Sequence, residues 1–389
     1  MSEYLNRQVA YFSMEIALED RLPTYCGGLG VLAGDTIRSA ADLRVPIICV
    51  SLVHRKGYFR QRIDEHGNQS EEAVEWPVEE WLEPTSARTV VRVEGRDVHV
   101  RAWCYRVRGA TGHDVPVYFL DTNLPENTQD DRHITDHLYL GDRRYRLLQE
   151  SVLGVGGLQL LELLGHSGIH TIHMNEGHAS LAALAAFSGE LTKGRTRDAA
   201  IEETKKRFVF TTHTPVDAGH DRFDNGMAKS ILTPEDFKAL ETLHGQGARL
   251  DMTKVALDLS RYANAVAYRH GEVSREMFPG YAIDAITNGV HTTSWVTPPF
   301  AQLFDKYFPK WRSDSYELRH AFRIPDGEIW DAHQLSKGIL LRKVEERTGQ
   351  KLDPGVFTLG FARRVVGYKR AALLLKDVAR LRDLAKRHG

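Results

Sequence analysis

Histidines, carboxylates, glycines and basic side chains gather in a few short stretches where they could do chemistry. In TYCGGLGVLAGD, Thr24 to Asp35, glycines let backbone N–H groups approach a ligand closely, and a helix N-terminus following them would favour an anion. A tight structural turn would use the same residues. In HMNEGHASLA, His173 to Ala182, a buried strand runs into a helix, so Asn175, Glu176 and His178 fall at a strand's C-terminal end, where α/β folds hold ligands. The spacing is not H-E-x-x-H and no cysteine joins it, which argues against a metal; Asn175 capping the helix is the plainer alternative. In FTTHTPVDAGHDRF, His213 directly follows a strand, but no G-x-S-x-G elbow supplies a nucleophile for it, so it reads as a substrate-loop or structural residue. In AITNGVHTTSW, the Asn288-Gly289 turn presents His291 at a strand tip, where its imidazole can exchange hydrogen bonds with a sugar hydroxyl. In GFARRVVGYKRAALL, Arg363, Arg364, Lys369 and Arg370 stand ahead of a helix and form either an anion pocket or a solvated basic loop.

Short apolar runs alternating with helical patterns must position these stretches, and that rhythm predicts an α/β fold. Strands are expected at Val9–Phe12, Pro46–Leu52, Pro116–Asp121, His170–Met174, Arg207–Thr212 and Ala282–Thr287. A hairpin is expected from Thr89–Val93 and Val98–Val107 about a turn at Glu94–Asp97, because apolar and polar residues alternate on both sides. Helices are expected from Gly34 to Leu43, Gly141 to Leu164 and Ala179 to Gly189. The pattern then predicts one α/β domain over 1–325, a helical hinge over 326–354, and the first strand (Val356–Ala362) and helix (Ala371–Lys386) of a second domain over 355–389. One strand and one helix cannot bury both faces of a sheet, so the second domain is expected to be incomplete.

Composition narrows the classes. Lys plus Arg (51) balance Asp plus Glu (52), so no global field points to nucleic acid or an anionic membrane. The three cysteines have neither zinc nor disulfide spacing and suit a reducing compartment. The N-terminal residues lack the pattern of a signal peptide, and no apolar run approaches the roughly 20 residues of a membrane span, so a cytoplasmic protein is expected.

Taken in order, these stretches, with YFSMEIAL at Tyr11–Leu18, DTNLPEN at Asp121–Asn127 and HGEVSREMF at His270–Phe278, resemble the α-glucan phosphorylase family of GT-B glycosyltransferases. The closest likeness is to the shorter bacterial and archaeal members. The resemblance implies a GT-B fold, with a complete N-terminal Rossmann-like domain and the opening βα unit of another. It implies reversible phosphorolysis of an α-1,4-glucan end by inorganic phosphate to glucose 1-phosphate, with pyridoxal phosphate as cofactor. By the same resemblance, Gly27, Gly28 and Leu29 face the substrate phosphate, and His291 contacts the glucosyl unit. Arg364 and Lys369 bind the attacking and cofactor phosphates, and Glu176 falls where related members have the acid of an Asn-Asp pair. From their own placement at strand ends and loops, Asn175, Glu176, His178, His213 and Asn288 are expected to line the substrate site.

The likeness has gaps. The family's cofactor lysine lies in a downstream segment that has no counterpart here, so these residues alone are expected neither to hold pyridoxal phosphate covalently nor to turn over. Cys26 stands where many members have asparagine. A nucleotide-sugar-dependent glucan synthase is the enzyme alternative, disfavoured because Thr24-Tyr25-Cys26-Gly27-Gly28 lacks the lysine of a K-T-G-G-L loop. A non-catalytic glucan-binding paralogue is the other. A homo-oligomer stays open.

Overall fold

The structure is a computed structural model that describes residues 8–363 and 369–388. The chain folds as two compact units, Met1–His291 and Thr292–Gly389.

In the first unit the strands run in chain order as β1 (Gln8–Ser13), β2 (Ile47–Leu52), β3 (Arg60–Ile63), β4 (Gln69–Glu72), β5 (Glu83–Val93), β6 (Arg96–Arg108) and β7 (Asp114–Asp121). They continue as β8 (Ile169–Asn175), β9 (Phe208–Thr212), β10 (Arg222–Phe223), β11 (Leu250–Asp251), β12 (Tyr262–Ala265) and β13 (Asp284–Ala285). One nine-stranded sheet takes the order β13-β12-β9-β8-β1-β2-β7-β6-β5. From β13 to β7 neighbours are parallel; β6 and β5 extend the sheet antiparallel.

The period of two in the strands explains why both faces are covered. On β1 and β2, Ala10, Phe12, Ile48 and Val50 enter one core, with helices Arg143–Ser151 and Ser180–Thr192 above them. Tyr11, Ile47 and Cys49 enter the other, against Ala33, Ile37 and Ala41 of α1 (Gly28–Asp42). The chain leaves β1 for β2 and β7 on one side and returns to β8 on the other. The gap beyond the carboxyl ends of β1 and β8 is therefore the topological switch point, where such sheets bind ligands.

Several expectations need correction. The glycines at 28 and 30 belong to the first turn of α1 rather than to a turn preceding a helix at Gly34. Close approach demands glycine at position 30, where a Cβ would lie 2.6 Å from Tyr25 Cβ and 2.8 Å from Glu15 Oε2. The hairpin loop is only Glu94-Gly95, both at positive φ as a two-residue primed turn requires, so Arg96 and Asp97 join the ladder. Between Gly141 and Leu164 a π-helical turn, Val152–Gly156, interrupts the helix, and Gly154 there packs against the backbone of the Ser180–Thr192 helix. Strand β12 and the helix Arg197–Lys205 were not anticipated, because their apolar runs are too short to show a period.

In the second unit, Leu303, Phe308, Trp311, Ile324 and Ala332 form a small core between Pro298–Tyr307 and Asp326–Thr348. The segment expected as a strand, Val356–Ala362, is exposed and forms no strand among the described residues. The final helix is Val378–His388, later than the expected start at Ala371. No helix among the described residues is long and apolar enough to cross a membrane.

Candidate functional site

The connection from β1 to α1 builds the first wall. Ser13 Oγ donates to the Glu15 carbonyl at 2.7 Å, and Ile16 and Thr24 bridge the loop's two arms. This delivers the Glu15 carboxylate, 3% exposed, beneath the glycines. Its Oε2 accepts from Cys26 N at 2.8 Å and Gly27 N at 3.1 Å, and its Oε1 accepts from Tyr139 Oη at 3.0 Å. Gly27 is the N-cap of α1, without a side-chain cap, and no acidic residue lies in the first turn. The amides of Gly28, Leu29 and Gly30 have no acceptor among the described residues and lie at the positive end of a 15-residue helix.

The second wall comes from β8 and β9. Asn175 ends β8, donates from Nδ2 to Ser13 Oγ at 3.0 Å, and meets His213 Nε2 through Oδ1. Glu176 adopts φ +73°, a strained conformation for a side chain of this size. Three bonds hold it there: Gly177 N to Oε1 at 3.0 Å, His213 N to Oε2 at 2.8 Å and Thr214 Oγ1 to Oε2 at 2.9 Å. Burial pushes the Glu176 carboxyl up, but His213, His178 and His220 outweigh it and hold the group below the usual carboxylate range. Glu176 thus ties the loops after the two strands together and fixes His213. Burial lowers the pKa of His213, keeping its imidazole neutral and able to give or take one hydrogen bond.

Arg146 forms the floor. Its guanidinium bonds Glu150 Oε1 at 3.2 Å, Asp221 Oδ2 at 3.1 Å and His178 Nε2 at 3.2 Å, and stacks 4.5 Å from the Tyr139 ring. Because an arginine can only donate, His178 accepts at Nε2 and carries its hydrogen on Nδ1. Burial and the adjacent Arg146 bring His178 down to about 4. Burial and neighbouring Asp221 push Glu150 up. Ligand atoms of Glu150, His178 and Asp221 lie within 4.8 Å of one another, close enough for a cation; Arg146 bonds one atom of each, and Glu150 Oε2 is buried without a hydrogen-bond partner among the described residues.

The sequence-predicted residues therefore separate. Gly27, Gly28, Leu29, Asn175, Glu176, His178 and His213 share one site. His291 does not reach it: Nε2 bonds Asp42 Oδ2 at 2.9 Å, at the last residue of α1 and roughly 21 Å along the helix from Gly28. Asn288 is exposed, its amide bonded to the Val266 carbonyl beyond β12. In the second unit, Lys369 lines an open groove of about 1100 Å³ with Arg363, Arg370, Phe361 and Leu374; Arg364 lies outside the described residues. Glu15, Tyr139, Arg146 and Asp221 were missed as site residues. The one signal for them was an isolated acid in the apolar run Met14-Glu15-Ile16-Ala17-Leu18.

No protein-family model matches the chain. It is 35% identical over 415 residues to a maltodextrin phosphorylase of Thermococcus litoralis, covering 97% of this chain and 49% of that protein. It is 32% identical over 422 residues to a glycogen phosphorylase of Aquifex aeolicus, covering 97% and 60%. An uncharacterised protein of Methanocaldococcus jannaschii is 31% identical over 388 residues, covering 98% and 68%.

The chain belongs to the maltodextrin and glycogen phosphorylase family. It spans about half the length of the first of these relatives.

Proposed function

We propose that this chain supplies the N-terminal, Rossmann-like half of a GT-B α-glucan phosphorylase, with 1–325 as the first domain, 326–354 as a hinge and 355–389 opening the second. The reaction is reversible phosphorolysis of α-1,4-glucan ends to glucose 1-phosphate. The observation that carries this reading is the convergence of open glycine amides with the Asn175–Glu176–His213 cluster at the switch point of a phosphorylase-family chain.

In this reading the amides of Gly28, Leu29 and Gly30 bind a phosphate oxygen, aided by the helix dipole. His213 takes the hydroxyl of the reacting glucosyl unit, the role the resemblance gave His291, because Asn175 and Glu176 aim it into the site whereas Asp42 holds His291 elsewhere. Arg364 and Lys369 bring positive charge to the attacking phosphate, since closely spaced phosphates repel strongly unless neutralised.

Pyridoxal phosphate, implied by the resemblance, would supply a phosphate that handles the proton. Its linkage needs a lysine, and the cluster formed by Glu15, Tyr139, Arg146, Asn175, Glu176, His178 and His213 contains none. These residues do not fit a covalent cofactor site.

The test is phosphate-dependent release of glucose 1-phosphate from maltodextrin by the gene product purified from its own cells, with intact mass read on the same sample. Release that requires both substrates supports phosphorolysis. Glucan binding without release would instead favour a non-catalytic glucan-binding protein.

A further inference from the structure

Resting on the phosphate-binding reading of the glycine end, we propose that Glu15 is its positioning residue. The carboxylate takes the two amides that precede α1, Cys26 N and Gly27 N, and so presents the next three, of Gly28, Leu29 and Gly30, to an inorganic phosphate or sugar phosphate oxygen.

Three features of the structure carry this. First, an amide pair this close to a helix start would itself be an anion site, and Glu15 fills it from within the protein, at 2.8 and 3.1 Å. Second, the contact is built around the glycines: any side chain on Gly30 would strike Glu15 Oε2 at 2.8 Å, so the residue that opens the first turn also makes room for the carboxylate. Third, Glu15 cannot turn away, because Tyr139 Oη holds its other oxygen and Arg146 stacks on the Tyr139 ring. Tyr139 is itself at φ +58°, a constrained backbone that aims the phenol back toward β1. Through Arg146 the same chain of contacts reaches His178, so the glycine end and the β8 loop are held in one register.

A carboxylate near a bound phosphate has a second physical consequence of opposite sign. If its charge mattered more than its geometry, Glu15 would repel the phosphate, and every variant that neutralises it would bind phosphate more tightly. Positioning predicts a split instead. In Glu15→Gln the amide oxygen can still accept from both N–H groups while Nε2 donates to Tyr139 Oη, whereas Glu15→Ala leaves all three groups unanchored.

The experiment is a titration of the full 389-residue chain with inorganic phosphate, following amide resonances of Gly28, Leu29 and Gly30 by NMR. Wild type shifts at these amides, Glu15→Gln binds within about threefold of it, and Glu15→Ala binds at least about tenfold more weakly, the scale of hydrogen bonds to a charged group. Resonances of the β5–β6 hairpin report whether Glu15→Ala stays folded. If it does not, Tyr139→Phe carries the test, because it frees one carboxylate oxygen without removing the side chain and should weaken phosphate about threefold. Equal or tighter binding by a folded Glu15→Ala, or by Tyr139→Phe if Glu15→Ala does not fold, overturns the positioning role while leaving the phosphate site standing. A wild-type chain whose glycine amides ignore phosphate overturns both.

Discussion

Gly34→Ala sets helix propensity against close contact in the middle of α1. Propensity alone favours alanine over glycine in a helix interior by about 1 kcal/mol. Here, however, the added Cβ would lie 1.9 Å from the Ala17 carbonyl oxygen and 2.9 Å from its carbon. A carbon and an oxygen need roughly 3.3 Å even in a weak hydrogen-bonded contact, so helix and loop must separate by more than about 1 Å. The obstacle is backbone and cannot rotate aside. It is pinned by Ala17 N to the Gly30 carbonyl at 2.9 Å, by Arg38 Nη1 to the Ala17 carbonyl at 3.2 Å and by Arg38 to the Leu18 carbonyl. Separation sacrifices two or three bonds of about 1 kcal/mol each, plus the strain of overpacking, typically about 1–3 kcal/mol. The net expectation is a loss of about 2–5 kcal/mol from a total that for most domains is about 5–15. Denaturant unfolding measures it. Gly189→Ala serves as the control: Gly189 is exposed within the Ser180–Thr192 helix with nothing within 4 Å of its Cβ, so that variant should gain about 0.5–1 kcal/mol. A neutral or stabilised Gly34→Ala would refute the contact argument.

Two further outcomes follow from buried polar groups. Burial brings His54 and His178 from 6.5 to about 4 in the folded state, so folded protein binds fewer protons than unfolded protein between those values. Their stabilisation is complete above pH 6.5 and drains as pH falls toward 4, by roughly 3 kcal/mol for each, and thermal midpoints measured from pH 7.5 to 4.5 should fall steadily; a flat profile would contradict it. Asp121 is fully buried and accepts from Arg55 Nη2 at 2.7 Å, Arg101 Nε at 2.9 Å and Trp103 Nε1 at 2.8 Å. Asp121→Ala leaves Arg101 Nε and Trp103 Nε1 unpaired and Arg55 Nη2 with only Glu79, and should cost about 3–5 kcal/mol in denaturant unfolding; a change below about 1 kcal/mol would show that water replaces the carboxylate freely.

Local pattern in the sequence was enough for the α/β class, for most strands of the parallel sheet, and for the stretches that could do chemistry. Strands such as β1 and β2 are apolar on both faces, and that signature is local to each strand. For the same reason Asn175, Glu176 and His213 could be named beforehand: each lies at the end of a buried strand or directly follows one. Tertiary structure alone decided which of them meet. His213 and His291 look alike in sequence, each a histidine at a strand tip, yet parallel pairing of β8 with β9 brings His213 to Glu176 while Asp42 draws His291 to the far end of α1. Likewise Glu15, Tyr139, Arg146 and Asp221 come from separate segments and carry no local periodicity to reveal them. Partnership between residues 124 positions apart, as for Glu15 and Tyr139, is set by how the sheet orders its strands, and strand order is a property of the whole fold rather than of any stretch of chain.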